Sequence, residues 1–238
     1  NEYFQRRGNQ LFEAFVNYNN GENDTRHLID FTGGWTAQDW FTISPNLPIF
    51  NEAQDSIIQP APANPFDTRN ALLSYFGRGI YTFDDRYVLN LSVRRDGSSR
   101  FSPETRWGTF PAASAAWLIS RENFMKDVKW MSMMKVRAGW GVTGQQDGIG
   151  DYAYIPNYFP GSETAQYGFG GVFFPVLRPD GFDANLRWET TSSINVGVDF
   201  GFFKDRINGS IDIYSRDTRD LLAVVPVPAG SNFTNQIL

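Results

Sequence analysis

Apolar and polar residues alternate strictly over a long stretch in the second half of the chain. From Leu186 to Phe200 one parity reads Leu, Trp, Thr, Ser, Ile, Val, Val, Phe, and the other reads Arg, Glu, Thr, Ser, Asn, Gly, Asp. A period of two residues predicts a β-strand with one apolar face and one polar face. Because ordinary strands have about 5–6 residues, this stretch predicts an unusually long one.

Seven further segments can be read as strands, and most of them alternate in the same way. The exceptions are weaker patterns: Phe76 and Ile80 interrupt the polar face of one segment, and another is rich in alanine. The seven segments are Phe12–Tyr18, Ile29–Thr36, Leu73–Phe83, Tyr87–Arg94, Trp107–Ser120, Met134–Thr143 and Ile207–Ile213. With the opening stretch they predict an all-β fold of about eight antiparallel strands.

The connections between these segments alternate between short and long. The short ones are residues 19–26, 84–86, 121–130 and 201–206. The longer ones are Ala37–Asn70, Asp96–Arg106, Gln145–Asn185 and Asp217–Leu238. An up-and-down sheet has this arrangement when its two edges face different compartments, as in outer-membrane barrels with short periplasmic turns and long external loops. The pattern therefore favours a transmembrane β-barrel.

Strand length and the polar parity support a membrane location. At about 3.3 Å per residue, the stretch from Leu186 to Phe200 would span roughly 50 Å, more than the ~9–11 tilted residues that cross a bilayer. The polar parity carries charges without an obvious local partner, and packing them against a second sheet would be costly. We therefore expect these side chains to face a water-filled lumen: Arg94, Lys135, Arg137, Glu189, Asn195 and Asp199.

Aromatic residues make up 16% of the chain, and many of them lie at the predicted strand ends. Next to the short turns are Tyr18, Tyr81, Phe83, Tyr87, Trp117, Phe200 and Phe202. Near the long connections are Trp35, Trp107, Trp140 and Trp188. Outer-membrane barrels carry aromatic belts at both membrane interfaces, so these two sets predict an inner and an outer belt.

Composition and charge exclude several classes of function. The net charge is −5, from 21 basic and 26 acidic residues, whereas a nucleic-acid partner would require a basic face. The absence of cysteine excludes thiolate metal sites and a cysteine nucleophile, and His27 is the only histidine, so no histidine-based triad can form. A glycosidase-like carboxylate pair is the less favoured alternative to a chain without catalytic activity.

No apolar run reaches the ~18 residues of a membrane helix, and the mean hydropathy is −0.38. A helical membrane bundle is therefore excluded, whereas a barrel is not, because only alternate residues of its strands meet lipid. The chain begins at Asn1 without a leader segment, which predicts a mature chain or a piece of a longer one.

The long connection Gln145–Asn185 is the best candidate for binding. Its aromatic residues, with Trp40 in the connection Ala37–Asn70, suit stacking on sugar rings or docking of a partner, and a loop packed on its own aromatics is the alternative. The candidate substrate-binding residues are Tyr152, Tyr154, Tyr158, Tyr167, Phe169 and Trp40. No cofactor is expected. A calcium ion bound by Asp147, Asp151, Gln145 and Gln146 is the less favoured alternative to side chains that are simply hydrated in a loop.

Several runs resemble one family of outer-membrane proteins. The stretch Leu72–Ser120 contains "RRDGSSRF" at Arg94–Phe101 and "RWGTFP" at Arg106–Pro111. Further runs are "VRAGWGVTGQQDGIGDYAY" at Val136–Tyr154 and "VPVPAGSNFTNQ" at Val225–Gln236. Together with the opening stretch, these runs resemble the SusC/RagA family of TonB-dependent transporters of Bacteroidetes, over most of residues 72–238.

The resemblance implies an outer-membrane barrel of 22 strands with an N-terminal plug, a SusD-like surface lipoprotein as partner, and energy supplied through TonB. Residues 1–238 would then be an interior part of the barrel wall, with the plug, the TonB box and the closing strands absent. The implied function is uptake of glycan or peptide oligomers. A passive porin or structural barrel is one alternative; a soluble extracellular carbohydrate-binding module, whose apolar faces meet a second sheet, is the other.

Overall fold

The computed structural model describes residues 5–21, 26–44, 48–50, 53, 56–59, 66–160, 166–179, 181–226 and 235–237. Eight long strands form one antiparallel sheet, and their spatial order follows the chain. Their bounds are β1 Arg6–Asn19, β2 His27–Ser44, β3 Phe66–Phe83, β4 Tyr87–Ser98, β5 Trp107–Leu118, β6 Met131–Gln145, β7 Glu189–Phe202 and β8 Ile207–Arg219. The predicted up-and-down fold is confirmed, whereas the number of strands that close the barrel stays a prediction.

The remaining elements are short and lie in the connections. Two 3₁₀ turns, Ile119–Arg121 and Asn123–Met125, occupy the connection from β5 to β6. Two-stranded ribbons occupy the long connections: Ile49–Phe50 with Ile57–Gln59, Tyr158–Pro160 with Leu177–Pro179, Gln166–Phe169 with Val172–Pro175, and Val224–Pro226 with Asn235–Ile237. Within the described ranges, no helix has the length and apolar character needed to span a membrane.

Several strands extend further than the sequence pattern predicts. The pairing of β2 with β3 runs without a break from His27↔Phe83 to Ser44↔Phe66. Trp40, expected in a loop, therefore lies inside β2, and residues 37–44 and 66–70 of the connection expected from Ala37 to Asn70 belong to β2 and β3. Backbone hydrogen bonding between the two strands continues where the alternation of side chains has faded, and a local pattern cannot show this.

The register brings the apolar parities of neighbouring strands onto one face. Val196 on β7 lies opposite Ala138 on β6 and Ile213 on β8. Directly opposite residues point to the same side of a sheet, so this face, here called the apolar face, continues from β1 to β8. It carries Ala14, Val16, Phe31, Leu89, Leu91, Val93, Val136, Ala138, Ile194, Val196, Val198, Ile211 and Ile213.

No second sheet covers the apolar face among the described elements. Val196 is 47% exposed and Ile213 is 74% exposed, and Val198 is only partly buried. The packing that a soluble sandwich would require is therefore not found. Exposed apolar surface on this scale indicates an interaction surface, either with membrane or with another protein.

Two aromatic belts border the apolar face, as the sequence predicts. At the short-turn end, Tyr87 stacks on Phe83 and on Trp117 with ring centroids 6.2 Å apart in each pair. At the long-connection end, Tyr75 stacks on Trp107 at 6.2 Å, and Phe12 lies 5.0 Å from Trp35. The described strand residues between the two belts on this face include no charged side chain.

The separation of the belts matches the thickness of a membrane core. Trp107 and Trp117 lie at opposite ends of β5, about 33 Å apart along the strand at ~3.3 Å per residue. For strands tilted by about 35–45°, this corresponds to a height of roughly 25 Å, the height of the apolar band of outer-membrane barrels. The geometry thus fits a strand that crosses a bilayer between two aromatic interfaces.

The only buried hydrophobic cluster in the described chain lies beneath the long connections. It consists of Phe101, Phe110, Ile149, Leu186 and Trp188. Trp188 is 6% exposed, its ring lies 5.1 Å from Phe101, and its Nε1 donates to the Arg106 carbonyl at 2.9 Å. The expectation that Trp188 belongs to the outer belt is therefore wrong. Because β7 begins at Glu189, Trp188 lies just before the strand. The alternation of faces along β7 therefore does not apply to Trp188, which packs under the folded loops.

At the short-turn end, Glu122 fixes the connection between β5 and β6 to the belt. Its carboxylate is buried and accepts hydrogen bonds from Tyr87 Oη at 2.6 Å, Trp117 Nε1 at 3.0 Å and Arg86 Nη1 at 3.0 Å. These bonds, that from Tyr87 foremost, hold the pKa of Glu122 below its ordinary value. A depressed carboxyl pKa means that ionised Glu122 stabilises the folded state.

We expect Glu122→Gln to lower the melting temperature of the intact protein in detergent at pH 7. Because the folded-state pKa of Glu122 is depressed, its ionised form stabilises the fold above the ordinary pKa, and this contribution is lost as the pH falls. The difference between wild type and variant should therefore shrink at acidic pH. Thermal unfolding followed by tryptophan fluorescence measures it, with exposed Glu104→Gln as the control. An equal difference at every pH would contradict the role of the charge.

A charge placed on the apolar face between the belts should be costly. Val196→Arg puts a guanidinium near the middle of the band, where we expect a loss of about 2–4 kcal/mol in folding free energy in lipid. Asn195→Arg, one position away on the opposite face, is the matched control and should cost far less. Reversible unfolding in lipid vesicles gives both values, and equal losses would count against a lipid-facing Val196.

Candidate functional site

The face opposite the apolar face, here called the polar face, carries the charged and amide side chains of the strands. The register places all six predicted lumenal residues on it, and Lys135 lies directly opposite Asp199. These residues are Arg94, Lys135, Arg137, Glu189, Asn195 and Asp199. That the polar face lines a lumen stays a prediction, although the six residues do share one surface.

Four charged residues on the polar face form a network across three strands. Asp199 on β7 accepts hydrogen bonds from Arg137 Nε and Nη2 at 3.2 Å and contacts Lys135 Nζ at 3.3 Å. Arg137 also contacts Asp212 on β8 at 2.8 Å. The sequence shows no local partner for Lys135, Arg137 or Asp199, and in the structure their partners lie on neighbouring strands. The partners are 62 and 75 residues from Arg137 in sequence, and only the strand register brings them together.

Arg94 likewise has partners, contrary to the expectation from sequence. Its Nε donates to both carboxylate oxygens of Asp96 at 2.8 and 3.0 Å, and its Nη2 donates to Ser74 Oγ at 2.8 Å. Ser74 is fully buried and Asp96 is 8% exposed. Residues i and i+2 of a strand share a face, so the pairing of Arg94 with Asp96 was visible in the sequence and was missed.

Glu189 and Asn195 have different surroundings from those of the charge network. Glu189 Oε2 accepts a hydrogen bond from the Leu222 backbone nitrogen at 3.1 Å, which ties the segment after β8 to the start of β7. Asn195 borders a depression of ≈ 220 Å³ that is floored by small side chains. Its lining includes Asn90, Ala112, Ser114, Gly139, Gly141 and Ser193. On the polar face, this depression is where the wall leaves room for another molecule.

The predicted aromatic binding residues do not form one site. Trp40 lies within β2 at a polar-face position, and Tyr154 is half-buried in the loop after β6. Tyr152 Oη lies 3.3 Å from both the backbone nitrogen and the carbonyl oxygen of Arg69. Arg69 belongs to the part of β3 that extends beyond the pairing with β4. Tyr152 therefore caps this free edge of β3, which is a structural role. Residues 45–47, 51–52, 54–55 and 60–65 of the second candidate loop lie outside the described residues.

An aromatic hairpin projects from the long connection between β6 and β7. Gln166–Phe169 pairs with Val172–Pro175, and Gly170 and Gly171 take φ values of +62° and +80° in the turn between them, as a tight hairpin turn requires. The exposed fractions are 57% for Tyr167, 74% for Phe169 and 71% for Phe173. Tyr158, in the neighbouring ribbon, is 65% exposed. Within the hairpin, Tyr167 stacks on Phe174 with ring centroids 5.7 Å apart, whereas Phe169 and Phe173 are largely exposed and offer rings to a partner.

The two aspartates of the proposed calcium site contact Arg100. Asp151 contacts Arg100 Nε at 3.1 Å and accepts a hydrogen bond from Asn70 Nδ2 at 3.0 Å, and Asp147 lies 3.6 Å from Arg100. The described part of the chain contains no group of three or more His, Cys, Asp or Glu side chains that could hold a metal. A calcium site here stays a prediction, and it would have to displace Arg100, whose role the sequence did not show.

Comparison with known families gives one model that matches nearly the whole chain. The family described as "TonB dependent receptor-like, beta-barrel" matches residues 1–237. The TonB-dependent receptor SusC of Bacteroides thetaiotaomicron is 42% identical over 236 residues, which cover 99% of this chain and 22% of that protein. The TonB-dependent receptor P39 of Formosa agariphila is 36% identical over 233 residues, with 94% and 22% covered.

Solved structures share the fold. The RagAB peptide transporter matches with a TM-score of 0.77 and 24% identity, over 98% of this chain and 26% of that one. The siderophore receptor PirA of Pseudomonas aeruginosa matches with a TM-score of 0.58 and 13% identity, over 98% and 36%. At these identities the structural matches show the barrel fold alone.

The chain spans about a fifth of the length of the curated relatives it matches, 22% in each of the two cases above. The strand order agrees with a barrel wall. On the family match over residues 1–237 and the 42% identity to SusC, the chain belongs to the TonB-dependent receptor β-barrel family, in its SusC/RagA branch.

Proposed function

We propose that this chain forms part of the wall of an outer-membrane importer that takes up oligomeric nutrients with energy delivered through TonB. The observation that carries the proposal is the family match along residues 1–237, together with an uncharged band between two aromatic belts on one face and charged networks on the other. Family membership implies the outer membrane as the location. The apolar face then meets lipid, and the polar face lines the transport path.

The polar face is suited to a hydrated path. Several of its cations are paired with acids, as Arg137 is with Asp199 and Asp212 and Arg94 is with Asp96, which reduces the free charge that the wall presents to a passing solute. The depression beside Asn195 adds local width. Such a surface can contact both hydroxyl-rich and peptide cargo by hydrogen bonds, so glycan and peptide oligomers both remain candidates.

The outer loops would receive the substrate from a SusD-like lipoprotein. The aromatic hairpin exposes Phe169 and Phe173 at the end of the sheet where the long connections lie. Aromatic side chains are enriched at protein interfaces and also stack on sugar rings. We assign this hairpin to contacts with the lipoprotein or with cargo it delivers, and Tyr158 and Tyr167 belong to the same exposed set.

The proposed role is transport and not catalysis. The only histidine, His27, has its Nδ1 2.7 Å from Tyr81 Oη and its ring 4.9 Å from Phe83, so it belongs to the inner aromatic belt. The relatives are TonB-dependent receptors.

Access from water and from lipid should differ between adjacent positions of β7. The chain has no cysteine, so Asn195→Cys and Val196→Cys each introduce a single thiol here. In the full-length protein in native membranes, with any cysteines outside this segment replaced, we expect a charged maleimide to modify Asn195→Cys. A lipid-soluble maleimide should modify Val196→Cys. The reverse pattern would contradict the assignment of the two faces.

Growth on the transported nutrient separates active import from passive diffusion. Removal of the TonB box from the full-length protein should abolish growth on an oligomer that requires this transporter, because the plug could no longer be moved. Growth on the corresponding monomer is the control, and membrane levels of the protein should be unchanged. Normal growth of the deletion strain on the oligomer would favour a passive porin.

A further inference from the structure

A groove of ≈ 930 Å³ lies at the outer ends of β1 to β4. Most of its lining residues on these strands occupy the apolar face, which here extends beyond the outer aromatic belt. The floor is formed by Phe12, Ala37, Ala71 and Leu73, and polar groups come from Gln10, Ser99 and Tyr152. The groove therefore continues the lipid-facing band upward and becomes polar as it leaves the belt.

The groove begins at the level of the outer belt. Trp107 belongs both to its lining and to the belt, where it stacks on Tyr75. Arg95 lies opposite Tyr75 in the register, and its guanidinium carbon is 5.3 Å from the centre of the Trp107 ring. Aromatic belts mark the headgroup level of a membrane, so Arg95 lies at the depth of the lipid phosphates.

The charges around the groove are unbalanced in favour of cations. Arg69 is paired with Asp39, Nε to Oδ1 at 2.9 Å, so this pair is neutral. Arg95 is exposed, and no acidic partner of its guanidinium is found among the described residues. Arg106 also lines the groove, and its Nε is buried without a hydrogen-bond partner in the same part of the structure.

We infer that this groove binds a phosphorylated glycolipid of the outer leaflet, of the lipid A class. Arg95 and Arg106 would meet the phosphate, the apolar floor would meet the base of the acyl chains, and Gln10 and Ser99 would meet the sugar hydroxyls. Arginine suits this role because its planar fork of donors matches phosphate geometry. The inference rests on the proposed membrane orientation, which places this face against the outer leaflet.

The test uses the full-length protein purified in mild detergent, with lipid A as the probe and native mass spectrometry as the readout. We expect Arg95→Gln to lower the bound fraction by roughly three- to tenfold, the range of one charge-assisted contact that is partly exposed to water. The double variant R95Q/R106Q should lower it further. Arg78→Gln is the matched control, because Arg78 lies on the polar face and donates to Asn90, and it should leave lipid A binding unchanged.

Two further probes identify the chemistry that is bound. Lipid A without phosphates should bind as weakly to wild type as intact lipid A binds to R95Q/R106Q, and phosphatidylglycerol should bind less well than lipid A. Equal binding of lipid A to wild type and R95Q/R106Q would overturn the inference, as would equal binding of the dephosphorylated form. Recovery of the wild-type protein in the soluble fraction would instead overturn the proposed membrane function.

Discussion

This structure depends on one constraint: the backbone N–H and C=O groups of each strand must form hydrogen bonds with a neighbouring strand. Within hydrocarbon, an unpaired N–H or C=O group costs several kcal/mol, so a strand can cross a membrane only when both of its edges are paired. The ladder from β1 to β8 provides this for the six inner strands. β1 and β8 each pair on one side within the described sheet, which agrees with relatives about four to five times as long as this chain. The ladder also fixes the register, and the register decides which side chains lie on the apolar face.

The two faces answer different physical demands. The apolar face needs only side chains without charge over a height of roughly 25 Å, and many aliphatic sequences meet that demand. The polar face carries ionised groups, and four of them, Lys135, Arg137, Asp199 and Asp212, are paired between strands. These pairs link β6, β7 and β8 across the sheet. Because a shift of one strand by one residue would separate the paired charges, they help to fix the register of the three strands.

The two ends of the sheet also differ. At the short-turn end, Glu122 binds Arg86, Tyr87 and Trp117 and holds a compact connection against the inner belt. At the other end, the long connections fold over the strands and enclose the cluster around Phe101 and Trp188. The short-turn end is therefore held by the hydrogen bonds around Glu122, whereas the other end is built from packed loops that leave an aromatic hairpin exposed. This asymmetry suits a wall with its binding functions on one side of the membrane.

The sequence by itself determined the strand content, the two faces and the alternation of short and long connections, because a period of two residues and the positions of turns are local properties. Its family runs also pointed to the right family. The tertiary structure decided the partners of Arg137, the extension of β2 to Ser44 and the burial of Trp188. Each of these depends on which residues of distant segments lie opposite one another, and the register of paired strands and the packing of loops are set by the whole sheet. For the same reason, alternation could assign Asp199 to the polar face but could not show that it is bound to two cations there.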